Sequence, residues 1–131
     1  MTLFINTASF EDIILEFKDV NNNKLKTHAF KAPRQQAEKL LPAISKMLIA
    51  TKKSLQDIKK IEVVVRGGSF TSLRIGVVTA NALGYAMKIP VEAVEVDGQK
   101  IIDGLDKIFS TYNIAVPRYD KEPNIGIKKK K

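Results

Sequence analysis

The pattern of hydrophobic and polar positions predicts that the chain begins as a meander of strands. Short apolar runs alternate with polar residues, as in strands that bury one face, and an asparagine-rich turn separates the last two. These runs are TLFIN, DIILEF and KLKTHAF, at residues 2–6, 12–17 and 24–30. In the third run His28 falls among the polar positions, so we expect it to face solvent.

Two helices and two further strands are predicted next. After Pro33, which suits the first turn of a helix, apolar residues recur at helical spacing from Ala37 to Leu48. The continuous β-branched run IEVVV at 61–65 predicts a strand buried on both faces, and IPVEAVEV at 89–96 predicts another. Between them lies a helix over about 71–88, and the apolar spacing over 101–112 predicts a third helix.

The stretch RGGSFTSLRIG, residues 66–76, joins a predicted strand to a predicted helix. Gly67 and Gly68 allow the sharp turn, and Ser69 or Thr71 is suited to cap the helix. A helix N-terminus favours anions, but this stretch has neither the lysine of a P-loop nor the spaced glycines of a dinucleotide fingerprint. We therefore interpret it as a capping hinge, formed by Gly67, Gly68, Ser69, Phe70, Thr71 and Arg74.

The helix that follows is apolar on two faces. Gly76, Ala80 and Gly84 recur every four residues and form a stripe of small side chains, with Leu83 and Met87 beside it. A second apolar face runs from Ile75 through Val78 and Ala82 to Tyr85. A soluble helix with two apolar faces is either deeply internal or covered by another chain. We expect the second face to lie on the sheet, and we favour another chain as the cover of the small stripe.

Composition narrows the classes of function. The 131 residues include no cysteine and one histidine, which excludes a disulfide framework and disfavours a zinc site. The sequence contains neither a signal-peptide pattern nor an apolar stretch of membrane-spanning length, so we expect a cytoplasmic protein that does not enter a membrane. Glu95, Asp97, Asp103 and Asp106 are candidates for a metal-binding carboxylate cluster, but a solvated helix face and a turn explain them better.

The net charge of +8 is uneven, and half of it lies from Arg118 onward. The terminal lysines, Lys128, Lys129, Lys130 and Lys131, could contact RNA phosphates, or they could form a solvated tail. A second basic cluster comprises Lys52, Lys53, Lys59 and Lys60. These two groups leave open an independent basic RNA-binding module, although aromatic residues do not interleave with them.

Residues 54–94 resemble the signature region of the TsaB (YeaZ) family, which has a GPGSFTGLRIG core, a helix rich in small residues and a GIP strand entry. LFINTAS is similar to that family's opening strand, RQQAEKLLPAISKML to its first helix and VPRYDKEPNI to its closing segment. The resemblance reaches nearly the whole chain. It implies an α/β fold, one lobe of the ASKHA type (actin, Hsp70 and sugar kinase, ribonuclease H-like), with a mixed five-stranded sheet flanked by helices.

The resemblance also implies a function. TsaB-like proteins are non-catalytic subunits that bind a TsaD-like enzyme, which adds threonylcarbamoyl to the adenosine next to the tRNA anticodon. A TsaE-like ATPase completes that system, so ATP or ADP and metal are expected on the partner subunits and no cofactor on this chain. Alone, such a protein pairs with itself through its two long helices. Those helices place the expected interface at Leu41, Ser45, Leu48, Gly76, Ala80, Leu83, Gly84 and Met87.

The chain departs from the family pattern at several positions. Asn6 stands where the family often has Asp, Gly67 replaces a Pro, and Arg66 and Ser72 replace glycines. Only about forty residues follow Pro90, where ordinary members continue into a second lobe. We therefore expect a single lobe at residues 1–112 and a basic tail at 113–131. A single lobe lacks an interlobe cleft, which disfavours nucleotide hydrolysis by this chain alone.

Overall fold

The computed structural model describes residues 1–97 of the chain. Its elements are β1 (Thr2–Asn6), β2 (Asp12–Lys18), β3 (Lys24–Lys31), α1 (Gln36–Ala50), a 3₁₀ turn (Leu55–Asp57), β4 (Lys60–Val64), α2 (Phe70–Met87) and β5 (Val91–Val94). The strands and helices predicted within this range are confirmed. The helix predicted at 101–112, the domain boundary at 112 and the basic tail lie outside the described residues.

The strands form one mixed sheet in the order β3-β2-β1-β4-β5. Short connections join β1, β2 and β3 as antiparallel neighbours, whereas β4 and β5 run parallel to β1 and each follows a helix. A parallel neighbour needs a crossover long enough to return the chain to the same edge, and α1 and α2 provide those crossovers. The predicted five-stranded mixed sheet is confirmed.

Both helices pack on one face of this sheet. Leu3 and Ile5 of β1 and Val63 of β4 point toward the helices and are fully buried. Leu40 from α1 and Val77 from α2 join the same cluster. Burial of these aliphatic side chains is the main source of stability for the domain. Among residues 1–97, neither helix is long and apolar enough to cross a membrane.

The opposite face of the sheet carries a buried ion pair. Lys18 Nζ lies 2.7 Å from Glu62 Oε1, and the two side chains are only 7% and 6% exposed. The same ammonium group lies 5.1 Å from the centre of the ring of Phe4, which belongs to β1, the strand between β2 and β4. Lys60 Nζ reaches Glu92 at 3.5 Å and Glu62 at 3.6 Å. These contacts link β2, β1, β4 and β5 and favour this register over others.

The expected orientation of His28 is wrong. His28 of β3 is paired with Leu15 of β2, so both side chains point to the helix side of the sheet. His28 is half-buried there and stacks on Phe30, with ring centroids 4.8 Å apart. Ala29, which is paired with Ile14, points the other way and is exposed. The alternation of polar and apolar residues in β3 did not predict its orientation, because an edge strand with few large apolar residues has no clearly apolar face.

Candidate partner interface

The turn at residues 66–69 fixes the start of α2 against the loop after β1. Gly67 has φ of +92°, a conformation that favours glycine. A side chain on Gly68 would place its Cβ 2.3 Å from the carbonyl oxygen of Ala8. The Ser69 N–H donates to that same oxygen (2.8 Å), and Ser69 Oγ accepts from the Ser72 N–H (3.3 Å). The turn therefore caps and positions the helix.

The two arginines of this stretch make contacts within the fold. Arg66 forms an ion pair with Glu95, in which its Nε donates to Glu95 Oε2 at 3.0 Å. This pair joins the ends of β4 and β5, so Glu95 is engaged by a cation. Arg74 lies over the ring of Phe70, with its Cζ 5.7 Å from the ring centre. Both arginines therefore have contacts within the fold.

The small stripe of α2 faces the sheet, so the prediction that it is covered by another chain is wrong. Ala80 is fully buried, and Gly76 and Gly84 are also buried. A Cβ on Gly76 would lie 2.7 Å from Thr7 Oγ1, and one on Gly84 would lie 2.3 Å from Val91 Cγ2. The stripe allows the helix to approach the β-branched side chains of its own sheet closely.

The outward side of the helix pair is apolar instead. Large side chains are exposed on α1 at Leu41 (53%) and Ile49 (75%), and on α2 at Val78 (63%) and Tyr85 (88%). Ser45 and Ala82 are exposed between them, at helical spacing. We refer to these six residues, Leu41, Ser45, Ile49, Val78, Ala82 and Tyr85, as the outer helix face. The two apolar faces of α2 are thus exchanged relative to the expectation from sequence.

The residues predicted for the interface therefore separate into two groups. Leu41 and Ser45 are exposed on α1 and belong to the outer helix face. The others are buried or half-buried: Leu48, Gly76, Ala80, Leu83, Gly84 and Met87. Sequence reasoning placed Val78 and Tyr85 on the wrong face and omitted Ile49. Their spacing was visible in the sequence, but spacing alone does not show which apolar face meets the sheet.

One further side chain holds the start of α1 to the loop between β1 and β2. Gln36, at the start of α1, is buried, and its Nε2 donates to the carbonyl oxygens of Ser9 (2.6 Å) and Asp12 (2.8 Å). Beside it, a cleft of about 600 Å³ opens between the starts of α1 and α2, where Arg34 and Ile75 lie. Sequence reasoning missed this role, because a glutamine near a helix N-terminus gives no distinctive signal.

The sheet order and the two parallel crossover helices define an α/β lobe of the ASKHA type. The solved structure of YeaZ from Pseudomonas aeruginosa aligns with a TM-score of 0.61 and 26% identity, covering 72% of this chain and 43% of that chain. A second structure, described as an uncharacterized protein with similarity to peptidase YeaZ from Pseudomonas aeruginosa, aligns with a TM-score of 0.58 over 72% of this chain and 42% of the other. At 24% identity it supports the fold alone.

Sequence comparison agrees with the structural one. The TsaB proteins of Bacillus subtilis (strain 168) and Escherichia coli (strain K12), both described as tRNA threonylcarbamoyladenosine biosynthesis proteins, are 34% identical over 61 residues and 30% identical over 74 residues. These matches cover 47% and 56% of this chain. The chain spans only 27% and 32% of the two relatives.

The model of the family TsaD, described as tRNA N6-adenosine threonylcarbamoyltransferase, matches residues 26–96, which is more than half of the chain. The chain belongs to this family and is one of its TsaB (YeaZ) members. The resemblance inferred from the RGGSFTSLRIG stretch is thereby confirmed.

Proposed function

We propose that this chain is a non-catalytic subunit in the biosynthesis of threonylcarbamoyladenosine in tRNA. In this role it binds a TsaD-like catalytic subunit through the outer helix face. The names of its curated relatives support the pathway. The observation that carries the proposal is that two helices in contact with each other expose four large apolar side chains.

An exposed patch of this kind favours association. Contiguous apolar surface rimmed by polar residues marks sites where proteins bind each other, because its burial releases water from both partners. Tyr85 is the best candidate for an anchor, since tyrosine is enriched among the residues that dominate binding energy. Lys39 and Lys46 are also exposed on α1, so the exposed surface of this helix is mixed. In the absence of a partner, the same face is suited to pairing two copies of this chain.

The polar groups near the motif support a structural role over a catalytic one. Asn6, at the end of β1, uses its Oδ1 to accept a hydrogen bond from the Ala8 N–H at 2.9 Å. Ser69 caps α2, and Glu95 pairs with Arg66. Each of these groups is engaged in holding the fold. We therefore propose that the chemistry, with its ATP and metal, belongs to the TsaD-like subunit and a TsaE-like ATPase.

The test is association measured by light scattering with size-exclusion chromatography, supported by calorimetric titration. The chain is mixed with the TsaD-like protein of the same genome, and Val78→Glu combined with Tyr85→Glu is compared with the parent. Burying two charges in an apolar interface should weaken binding by a factor of about 30 or more, since hot-spot losses exceed about 2 kcal/mol. A homodimer of the free chain should dissociate as well.

The matched control places the same two charges elsewhere. Val20→Glu with Leu25→Glu changes two exposed apolar residues in the asparagine-rich turn and on β3, away from the helices. This variant should bind within about twofold of the parent, as surface substitutions outside an interface do. Unchanged binding by the helix variant, or equal losses in both variants, would reject the outer helix face as the interface.

A further inference from the structure

The carboxyl ends of α1 and α2 lie at one end of the molecule. Both helices lead into strands that start at the end of the sheet where β1 also starts. The Lys59 N–H donates to the Met1 carbonyl oxygen (2.8 Å), and the Ile61 N–H donates to the Pro90 carbonyl oxygen (3.0 Å). These bonds bring the segments that follow the two helices together beside β1.

This end of the molecule carries four exposed lysines, Lys52, Lys53, Lys59 and Lys88, which we call the basic end. Lys52 and Lys53 follow α1, Lys59 precedes β4, and Lys88 caps α2. Within residues 1–97 none of the four forms an ion pair with a carboxylate. The Ser54 N–H donates to the Asp57 carboxylate at 2.8 Å, and this bond together with the charges of Lys53 and Lys59 lowers the pKa of Asp57. Asp57 therefore offsets part of the positive charge at this end.

Two of these lysines hold a backbone conformation that favours glycine. Lys52 has φ of 58° and Lys88 has φ of 59°, each just after a helix. The left-handed conformation costs free energy for a residue with a Cβ, and glycine is the usual residue at this position. The negative end of the helix dipole favours a lysine there and offsets part of that cost. A strained non-glycine residue supports a functional reason for its side chain, and here both helices place a lysine in the same conformation.

We infer that the basic end binds the phosphate backbone of RNA. Four exposed lysines beside one carboxylate, that of Asp57, leave a net positive field, which phosphate binding exploits through the release of counterions. Lysine is depleted in protein interfaces, whereas it is a principal counter-charge to phosphate, so the composition favours RNA over an acidic protein. This goes beyond partner binding, because the four lysines are not part of the outer helix face.

The test uses the full chain and a fluorescently labelled tRNA transcript, with binding followed by anisotropy over a range of salt concentrations. Lys52→Gly combined with Lys88→Gly removes two charges and relieves both strained positions, so this variant folds at least as well as the parent. The control, Lys39→Ala with Lys46→Ala, removes two exposed charges from α1 and retains helix-forming residues. All three proteins keep the lysines at 128–131, so the tail contributes equally.

The glycine variant should bind about tenfold more weakly or worse, and the slope of log affinity against log salt should fall by about 1.4 to 1.8. The control should stay within about twofold, and the urea midpoint of the glycine variant should equal or exceed that of the parent. Equal losses in both variants, or full affinity in the glycine variant, would overturn the inference. Displacement by polyglutamate as effective as by unlabelled RNA would also overturn it. Binding to the TsaD-like subunit, measured on the same variants, tests the outer helix face separately.

Discussion

Replacing Gly84 with alanine should destabilise the fold, even though alanine is the better helix former. In a helix interior this exchange gains about 1 kcal/mol, and less near the helix end where Gly84 lies. The new Cβ would lie 2.3 Å from Val91 Cγ2 and 3.1 Å from the Ile89 carbonyl oxygen. Carbon atoms in favourable contact are about 3.5–4.0 Å apart, so either the helix or β5 must move. Overpacking costs about 1–3 kcal/mol, which leaves a net loss of about 1–2 kcal/mol.

Urea unfolding followed by circular dichroism measures this loss, and a double-mutant cycle assigns its cause. Val91→Ala alone removes two buried methyl groups and should cost about 2 kcal/mol. If the clash is the cause, Gly84→Ala with Val91→Ala should be more stable than the sum of the single losses by about 1 kcal/mol or more. Ala82→Val adds bulk on the exposed side of the same helix and should cost no more than about 0.7 kcal/mol. A Gly84→Ala variant more stable than the parent would refute the packing of the small stripe against the sheet.

Three further predictions concern the ion pair, one exposed carboxylate and the first loop. Lys18→Met leaves Glu62 buried without its closest cation and should lower the free energy of unfolding by about 3–5 kcal/mol. Lys18→Met with Glu62→Leu should recover most of the lost stability. An unchanged urea midpoint in the single variant would contradict this prediction. The backbone N–H of Ser54 lowers the pKa of Asp57 below its usual 3.8, so Asp57 contributes stability above that pH and loses it as the pH falls through the lowered pKa. Thermal unfolding should therefore show Asp57→Asn losing less stability than the parent between pH 4 and pH 2, and parallel curves would rule out the linkage. Gln36→Leu leaves the carbonyl oxygens of Ser9 and Asp12 without their donor and should lower the free energy of unfolding by about 1–3 kcal/mol. Hydrogen exchange at residues 9–12 should be faster in this variant. Protection equal to that of the parent would show that the Gln36 amide does not hold the loop.

The sequence predicted the elements well because their signals are local. IEVVV is continuous and β-branched, and it forms a buried strand. Ser69 precedes a helical pattern and caps α2. These outcomes depend on residues a few positions apart, which a linear pattern contains.

The orientation of α2 could not be predicted in the same way, because it depends on the shape of the surface that the helix meets. A row of glycine and alanine indicates close approach, but it does not say whether the approaching surface is the protein's own sheet or another chain. Here Thr7 and Val91 meet Gly76 and Gly84 within the fold. The Lys18–Glu62 pair could not be predicted from the sequence either, because the two residues meet only when β2, β1 and β4 are paired in this register.

The exchange of the two faces makes the interface proposal easier to test. Because the small stripe packs on the protein's own sheet, substitutions in it alter the fold, and a loss of binding that they cause cannot be separated from a loss of folded protein. In the structure the stripe keeps α2 on the sheet, and Val78 and Tyr85 contribute little to that packing because they are largely exposed. Substitutions at these two positions should therefore change association while the urea midpoint stays within the range of ordinary surface variants. Substitutions at Gly76 or Gly84 should do the opposite, lowering the midpoint first and reducing binding only as folded protein is lost.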